Sequence, residues 1–413
     1  MKKFVFLMAI VIVCLGIAPP SFATELEVTH WWTSGGEAKA VKVFADAFDA
    51  TGNKWKDAAI GGGGGVARPV IVSRIIGGDP MDATQLNHGQ QARELIEAGL
   101  MLDLTELAEK EGWKKFVNPS HLLEACTYEG KIYCVPVNIH SWQWLWLNRK
   151  VFLENKLNVP TNWTEFKAAA PKLKKAGVVP LATGDSWNLP GMFGVIQTAI
   201  GGPELYRKVL QNKDLEAAKS DEWKSIWNEL AIVRDQLVDK SWSGRQWNEA
   251  TAMVISGRAA GQIMGDWAQG EFSVADKVQG KDYDCLPGLG VHELLDAGGD
   301  AFYFPKSKDP KKTKAQLQLA SLMLSKKVQV KFNLAKGSLP IRGDIDMSTA
   351  NGCMQKGLRI LKNPDQILMS SDVTWSRDTQ AQIEDLVVEF FADPNYSVDK
   401  VHKKYVKILS AGN

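Results

Sequence analysis

Along this chain, one unbroken apolar run gives way to short apolar segments set at strand and helix spacing. Phe4 to Ala18 is almost wholly apolar and follows the basic Met1-Lys2-Lys3; Ser21-Phe22-Ala23 then offers small residues where a signal peptidase reads them. The run is too short for a convincing membrane span. Residues 1–23 are therefore expected to be a cleavable signal peptide, and the rest an exported, periplasmic protein. Beyond it, a strand at Leu26–His30 leads into a helix near Glu37–Ala50, with Val41, Phe44 and Phe48 as its stripe. Ser34 and Glu37 have the spacing of a capping box. Gly61 to Gly65 reads as a turn into a helix ending at Gly77-Gly78, because it lacks the Gly-Lys-Ser/Thr of a phosphate loop. A strand at Asp82–Leu86 ends in the polar residues Asn87, His88 and Gly89. Further strands are expected at Ile132–Val137, Trp142–Asn148, Val178–Ala182, Gln262–Asp266 and Tyr283–Leu286. Helices are expected at Trp163–Ala176, Glu204–Leu210, Asp221–Leu237, Glu249–Ser256, Ala315–Ala335, Thr379–Phe391 and Val398–Leu409. This alternation predicts an α/β fold with no internal repeat, and the length suggests two domains.

Tryptophan sharpens the picture. Of fifteen in the chain, Trp31 and Trp32 are adjacent after the first strand. Successive strand side chains face opposite ways, so one core cannot absorb both. At least one is expected to be exposed at the strand's carboxyl end, where open α/β sheets bind ligands. An indole at a pocket lip suits the flat face of a pyranose. Trp142, Trp144 and Trp146 alternate on one face and read as core packing.

Charge removes other function classes. Without Lys2 and Lys3 the acidic and basic residues balance, so no electrostatic platform for nucleic acid or anionic membrane is present. Four cysteines follow the leader, an even number suited to an oxidising compartment. Cys126 and Cys134 flank a hairpin turning at Glu129-Gly130-Lys131, a register that sets them opposite each other; by elimination Cys285 pairs with Cys353. Metal ligation is the alternative, but no CxxC or clustered His supports it. No metal and no cofactor are expected.

The segments His30-Trp-Trp-Thr-Ser-Gly-Gly-Glu37, Val135-Pro-Val-Asn-Ile-His140, Arg245-Gln-Trp-Asn248, Met264-Gly-Asp-Trp267 and Lys336-Gly-Ser-Leu-Pro-Ile-Arg342 stand in a telling order. Together with Trp55 to Ile60, Trp163 to Phe166 and Gly177 to Pro180, they make the chain resemble the extracellular solute-binding proteins (family 1) of ABC sugar importers, and more narrowly the glucose/mannose-binding branch. The resemblance implies a two-lobe, type II periplasmic-binding-protein fold with the ligand cleft between lobes. Crossing segments would lie near Asn138–His140, Cys285–Leu289 and Ser338–Ile341. Lobe 1 would be residues 24–139 plus 287–340, and lobe 2 residues 140–286 plus 341–413. It also implies the site: Trp31 or Trp32 and Trp267 stacking on a sugar ring, with Glu37, Asp300 and Lys336 reading its hydroxyls. Each has a plainer alternative: a core indole for Trp267, a capping partner for Glu37, a turn aspartate for Asp300, a solvated helix end for Lys336.

The chain also departs from the glucose-binding pattern. Asn87, followed by His88, stands where relatives carry Lys; Asp372 stands in place of a His, with Trp375 added; Gly298 replaces an Asn. These changes put glucose itself in doubt and leave the sugar class standing. The expected function is a periplasmic receptor for a neutral sugar, a glucose-like monosaccharide or small glycoside, delivered to the permease subunits of an ABC transporter. It would be a monomer with no catalytic step, and a chemoreceptor is a compatible further partner. The rival is a secreted glycoside hydrolase, with two of Glu37, Asp300 and Asp372 as its carboxylate pair.

Overall fold

The computed structural model describes residues 23–184, 187–369 and 374–412. The expected signal peptide, save its last residue Ala23, and Asp372 thus lie outside the described residues. Among these residues no helix is long and apolar enough to cross a membrane.

Nine strands build two main sheets: β1 Glu25–His30, β2 Lys54–Ala59, β3 Ala83–Asn87, β4 Cys134–Pro136, β5 Trp144–Asn148, β6 Val179–Leu181, β7 Ala259–Ile263, β8 Tyr283–Pro287 and β9 Asp300–Tyr303. The first sheet runs β2-β1-β3-β9-β4 and the second β8-β5-β7-β6. In the first sheet β1 is parallel to β2 and β3, while β9 returns antiparallel to β3 and β4. The fold is α/β with two sheet-containing lobes.

The predicted stripe of helix α1, Gly35–Asp49, is buried, with Phe44 stacked on Phe332 at 4.2 Å. The glycine run does not stay a turn. Gly62, at φ 94°, starts helix α2, Gly63–Ile76, and three glycines form its first turn. Helix α3, Asn188–Tyr206, kinks at Gly202, φ 73°; only its last turn was expected, because Pro190, Gly191, Gly194, Gly201, Gly202 and Pro203 hide a helical stripe. The expected strand at Gln262–Asp266 lies earlier, as β7, because Ala259-Ala260-Gly261 carries no apolar alternation although Gly261 packs against Phe166 and the Trp146 carbonyl. Helix α4, Ala268–Val274, follows β7. The long helix expected at Ala315–Ala335 is two, Pro310–Met323 and α5, Lys326–Lys336. Ser325 is extended between them, and the Gln329 amide caps the Met323 carbonyl at 2.9 Å.

Both disulfides form, Cys126–Cys134 and Cys285–Cys353. The hairpin is one residue tighter than expected. Glu129 and Gly130, at φ 48° and 79°, make a two-residue turn with Thr127 opposite Ile132, so Cys134 is staggered by one from Cys126 rather than opposite it.

The sheets are linked where Ile139 and Leu339 exchange backbone hydrogen bonds of 2.7 and 3.0 Å, beside His140 bonded to Gly298. Helix α4, leaving the second sheet, packs on α1 and α5. There the contact is backbone on backbone: a Cβ on Gly36 would come within 2.6 Å of the Gly270 carbonyl carbon. The Gly36 N–H donates to Glu271 at 2.7 Å, at the start of α1, where the unpaired N–H groups favour a carboxylate.

Candidate functional site

Strand register gathers polar groups at one edge of the first sheet. Asp300, opening β9, stands opposite Asn87, closing β3, and His30 closes β1 beside them. Two residues on, the adjacent indoles part as strand geometry requires. Trp32 turns into the core against Phe302 and Phe332, at 5.7 and 5.5 Å. Trp31 stays half-buried, its N–H donating to Gln85 at 3.0 Å. Its ring lies over Gly64, where a Cβ would approach to 3.3 Å, so the bare first turn of α2 makes room for the indole.

These groups open onto a cavity of about 440 Å³ between the two sheets. Trp31, Trp32, Glu37, Asn87, Trp267, Asp300 and Lys336 all line it. His88 does not. It is buried, its Nε2 has no hydrogen-bond partner among the described residues, and burial pushes its imidazole down to about 3, so it is neutral.

Glu37 and Lys336 form a buried ion pair of 2.9 Å, with the ammonium 4.8 Å from the Trp32 ring centre. Trp32 is thus the seat of the cation as well as a core residue. Ser34 caps α1 through the Glu37 N–H and donates its hydroxyl to Glu37 Oε2 at 3.1 Å. Only half the expected capping box forms, because the Glu37 carboxylate turns to Lys336 instead of the Ser34 backbone.

Asp300 is the most heavily satisfied group in the cavity wall. It accepts from Gln85 at 2.7 Å and Asn138 at 3.0 Å, and lies 3.1 Å from His140 Nδ1. Burial opposes its charge, but the His140 charge and hydrogen bond, with Lys336 and Asn138, outweigh it and hold the carboxyl well below the usual range. Burial likewise disfavours the His140 imidazolium, and the charges of Asp300 and Asp266 with the Asp300 bond outweigh it, so His140 is raised. The site therefore presents an ionised Asp300 acceptor beside an imidazole whose charged form Asp300 favours.

The aromatic wall is wider than expected. Trp267, preceding α4, meets His140 edge-on at 5.2 Å and Trp142 at 5.0 Å, and Trp187 stands 5.6 Å beyond Trp142. Trp142 is not a strand-face core residue: β5 begins at Trp144, and Trp144 and Trp146 alone are buried in the core. The Trp142 ring instead packs on Gly191, where a Cβ would come within 2.4 Å. His140 and Trp187 were not foreseen. His140 lay within a noted segment, but the spacing gave no sign that it meets Asp300.

Asp266 lies behind this cluster. Its Oδ2 accepts from the Ser141 N–H at 3.1 Å, while its Oδ1 has no partner among the described residues. Burial pushes its carboxyl up to about 8, against the charges of His140 and Lys336 and the Ser141 bond. The folded protein thus holds a proton that the unfolded chain releases near about pH 4. Stability is expected to fall as pH rises from about 4 to about 8, and the raised His140 adds loss of the same sign as pH climbs through its own value. Asp266→Asn keeps the shape of the protonated acid and is expected to flatten this slope. Denaturation midpoints of both proteins at about pH 5 and pH 8 check it; equal slopes would refute the assignment.

The comparisons with known proteins agree with this architecture. Residues 32–330 match the family model described as bacterial extracellular solute-binding protein. A probable sugar-binding periplasmic protein of Mesorhizobium japonicum is 40% identical over 344 residues, covering 83% of this chain and 82% of the relative. Among solved structures, a chitin oligosaccharide binding protein superposes with a TM-score of 0.76 at 18% identity, covering 94% of this chain and 99% of that one. The bacterial solute receptor AcbH, characterised by an exclusive preference for β-D-galactopyranose, gives a TM-score of 0.76 at 17% identity and covers 94% and 98%. All three are described as sugar-binding or solute-receptor proteins. With the family model spanning most of its length and two sheet-bearing lobes flanking one cavity, the chain belongs to the bacterial extracellular solute-binding proteins.

Proposed function

We propose that this protein is the periplasmic receptor of an ABC sugar importer, taking a neutral sugar between its lobes and presenting it to the permease subunits. The observation that carries this reading is the cavity wall itself, where indoles alternate with ionised, hydrogen-bonded groups. Trp31 and Trp267 would cover pyranose faces through dispersion and loss of apolar surface from water. Asp300, Asn87 and the Glu37–Lys336 pair would read the hydroxyls, charged partners giving the stronger bonds. His88 would act behind the wall rather than on the ligand. Lobe boundaries at 24–139 plus 287–340, and 140–286 plus 341–413, fit this scheme, with the Ile139–Leu339 pairing as one hinge strip. An exported monomer docking on its permease completes it, and a chemoreceptor would read the same liganded form.

The hydrolase reading is not favoured. It needs one carboxyl held as an acid facing the substrate and a second as nucleophile or base. Asp300 is kept ionised, Glu37 is bound to Lys336, and the acid Asp266 is absent from the cavity lining. A thermal-shift screen against neutral sugars tests the proposal. At a ligand concentration about 100 times Kd, roughly 2.7 kcal/mol of stabilisation is expected. Silence across hexoses, pentoses and their glycosides, or the release of new products on long incubation, would overturn it.

A further inference from the structure

The cavity does not end at its aromatic wall. A second compartment of about 270 Å³ opens beyond it, and the two share Arg68, Asn87, Trp142, Trp187, Arg377 and Glu384 as common lining. The first compartment alone already falls in the roughly 300–1,000 Å³ range that small-molecule sites occupy. A single sugar ring therefore leaves the second unused.

The second compartment has a wall of its own. Pro190, Gly194 and Gln197 lie at helical spacing on one face of α3 and line it. Gly194 is the informative residue. Its neighbour Gly191 is required, because the Trp142 ring occupies the place of a Cβ. A Cβ on Gly194 would meet nothing within 4 Å, and its backbone is ordinary helix. Glycine weakens a helix interior relative to alanine, and neither close packing nor left-handed backbone accounts for it here. What it leaves is open space inside the compartment. Beyond the shared residues, the polar lining includes the amides Gln91, Gln143, Gln197 and Gln380, the Asp296 carboxylate and two tyrosines, and Trp375 supplies another indole. Amides, carboxylate and indole are the chemistry of a sugar ring, and the Arg377–Glu384 pair at the junction, 2.7 Å apart, balances its own charge.

We propose that the ligand is a glycoside of at least two rings, the second lying against the Gly194 face of α3 beyond Trp142 and Trp187. This rests on the sugar-receptor reading above and names the class of sugar. The Trp142 and Trp187 rings, edge to face at 71°, line both compartments and would flank the glycosidic link at their junction.

Calorimetric titration with glucose, galactose, mannose and xylose, and with maltose, cellobiose, lactose and melibiose, tests it on three proteins. The wild type is expected to bind at least one disaccharide about tenfold or more tighter than either component monosaccharide. Gly194→Met, which projects a long side chain into the second compartment where the second ring would lie, should remove that advantage and leave monosaccharide affinity within about twofold. Gly194→Ala, which leaves most of the space, should keep the advantage; circular dichroism establishes that each variant is folded. A wild type that binds monosaccharides as tightly as any disaccharide overturns the inference and leaves the receptor reading intact. So does a disaccharide advantage that survives Gly194→Met. No binding of any sugar overturns both.

Discussion

Lys336→Met is expected to cost about 3–5 kcal/mol of stability, the usual penalty for removing one partner of a buried ion pair. The lysine side chain is 2% exposed and its Glu37 partner 10%. Methionine fills nearly the same volume but leaves the Glu37 carboxylate, among the described residues, with the Ser34 hydroxyl as its side-chain donor. The cation over the Trp32 ring goes too. The double variant Glu37→Gln with Lys336→Met is expected to recover most of the loss, because the uncompensated charge disappears with its partner. Chemical denaturation of the two single variants and the double variant measures this coupling. A Lys336→Met loss below about 1 kcal/mol would mean that the pair is effectively solvated.

Trp267→Ala is expected to weaken sugar binding by about 2–3 kcal/mol, roughly 30- to 150-fold in Kd. The indole is the hub of the aromatic wall, touching both His140 and Trp142. Gly265 yields its side-chain space to the Trp267 ring, so the ring cannot retreat without moving the turn after β7. Its removal costs the ligand an apolar face and leaves His140 unshielded beside Asp300. Trp267→Phe should fall between, since a smaller ring keeps part of the face. Unchanged affinity in the alanine variant, measured by titration with the sugar found in screening, would take Trp267 out of the site.

The parts legible in the sequence are those governed by short-range spacing. The stripe of α1, strand β1 and the division of labour at Trp31 and Trp32 all follow from periods of 3.6 or 2. The elements that escaped are those in which packing replaces pattern. Strand β7 begins with Ala-Ala-Gly because Phe166 and the β5 backbone press on Gly261. Helix α3 is masked by glycines that serve Trp142 and the second compartment. The cavity is legible only in part for a different reason. His140 and Asp300, or Glu37 and Lys336, meet across some 160 and 299 residues of chain. Resemblance gave Glu37, Asp300, Lys336 and Trp267 together, and the structure brings them round one cavity. No spacing rule could pair His140 with Asp300, and Trp142 misled because its strand starts two residues later.

The bare contact between Gly36 and Gly270 bears on how occupancy is reported. At Gly36 and Gly270 themselves no side chain can stretch to follow a partner moving away. Dispersion at such a contact loses roughly a quarter to a half of its strength over about 0.5–1 Å. The backbone attraction between α1 and α4 is therefore short in reach, and under the proposed lobe boundaries lobes held apart would gain less of it. Such an interaction favours two populations over a continuum. A permease reading this surface would receive a digital message, docked or undocked, rather than a graded one.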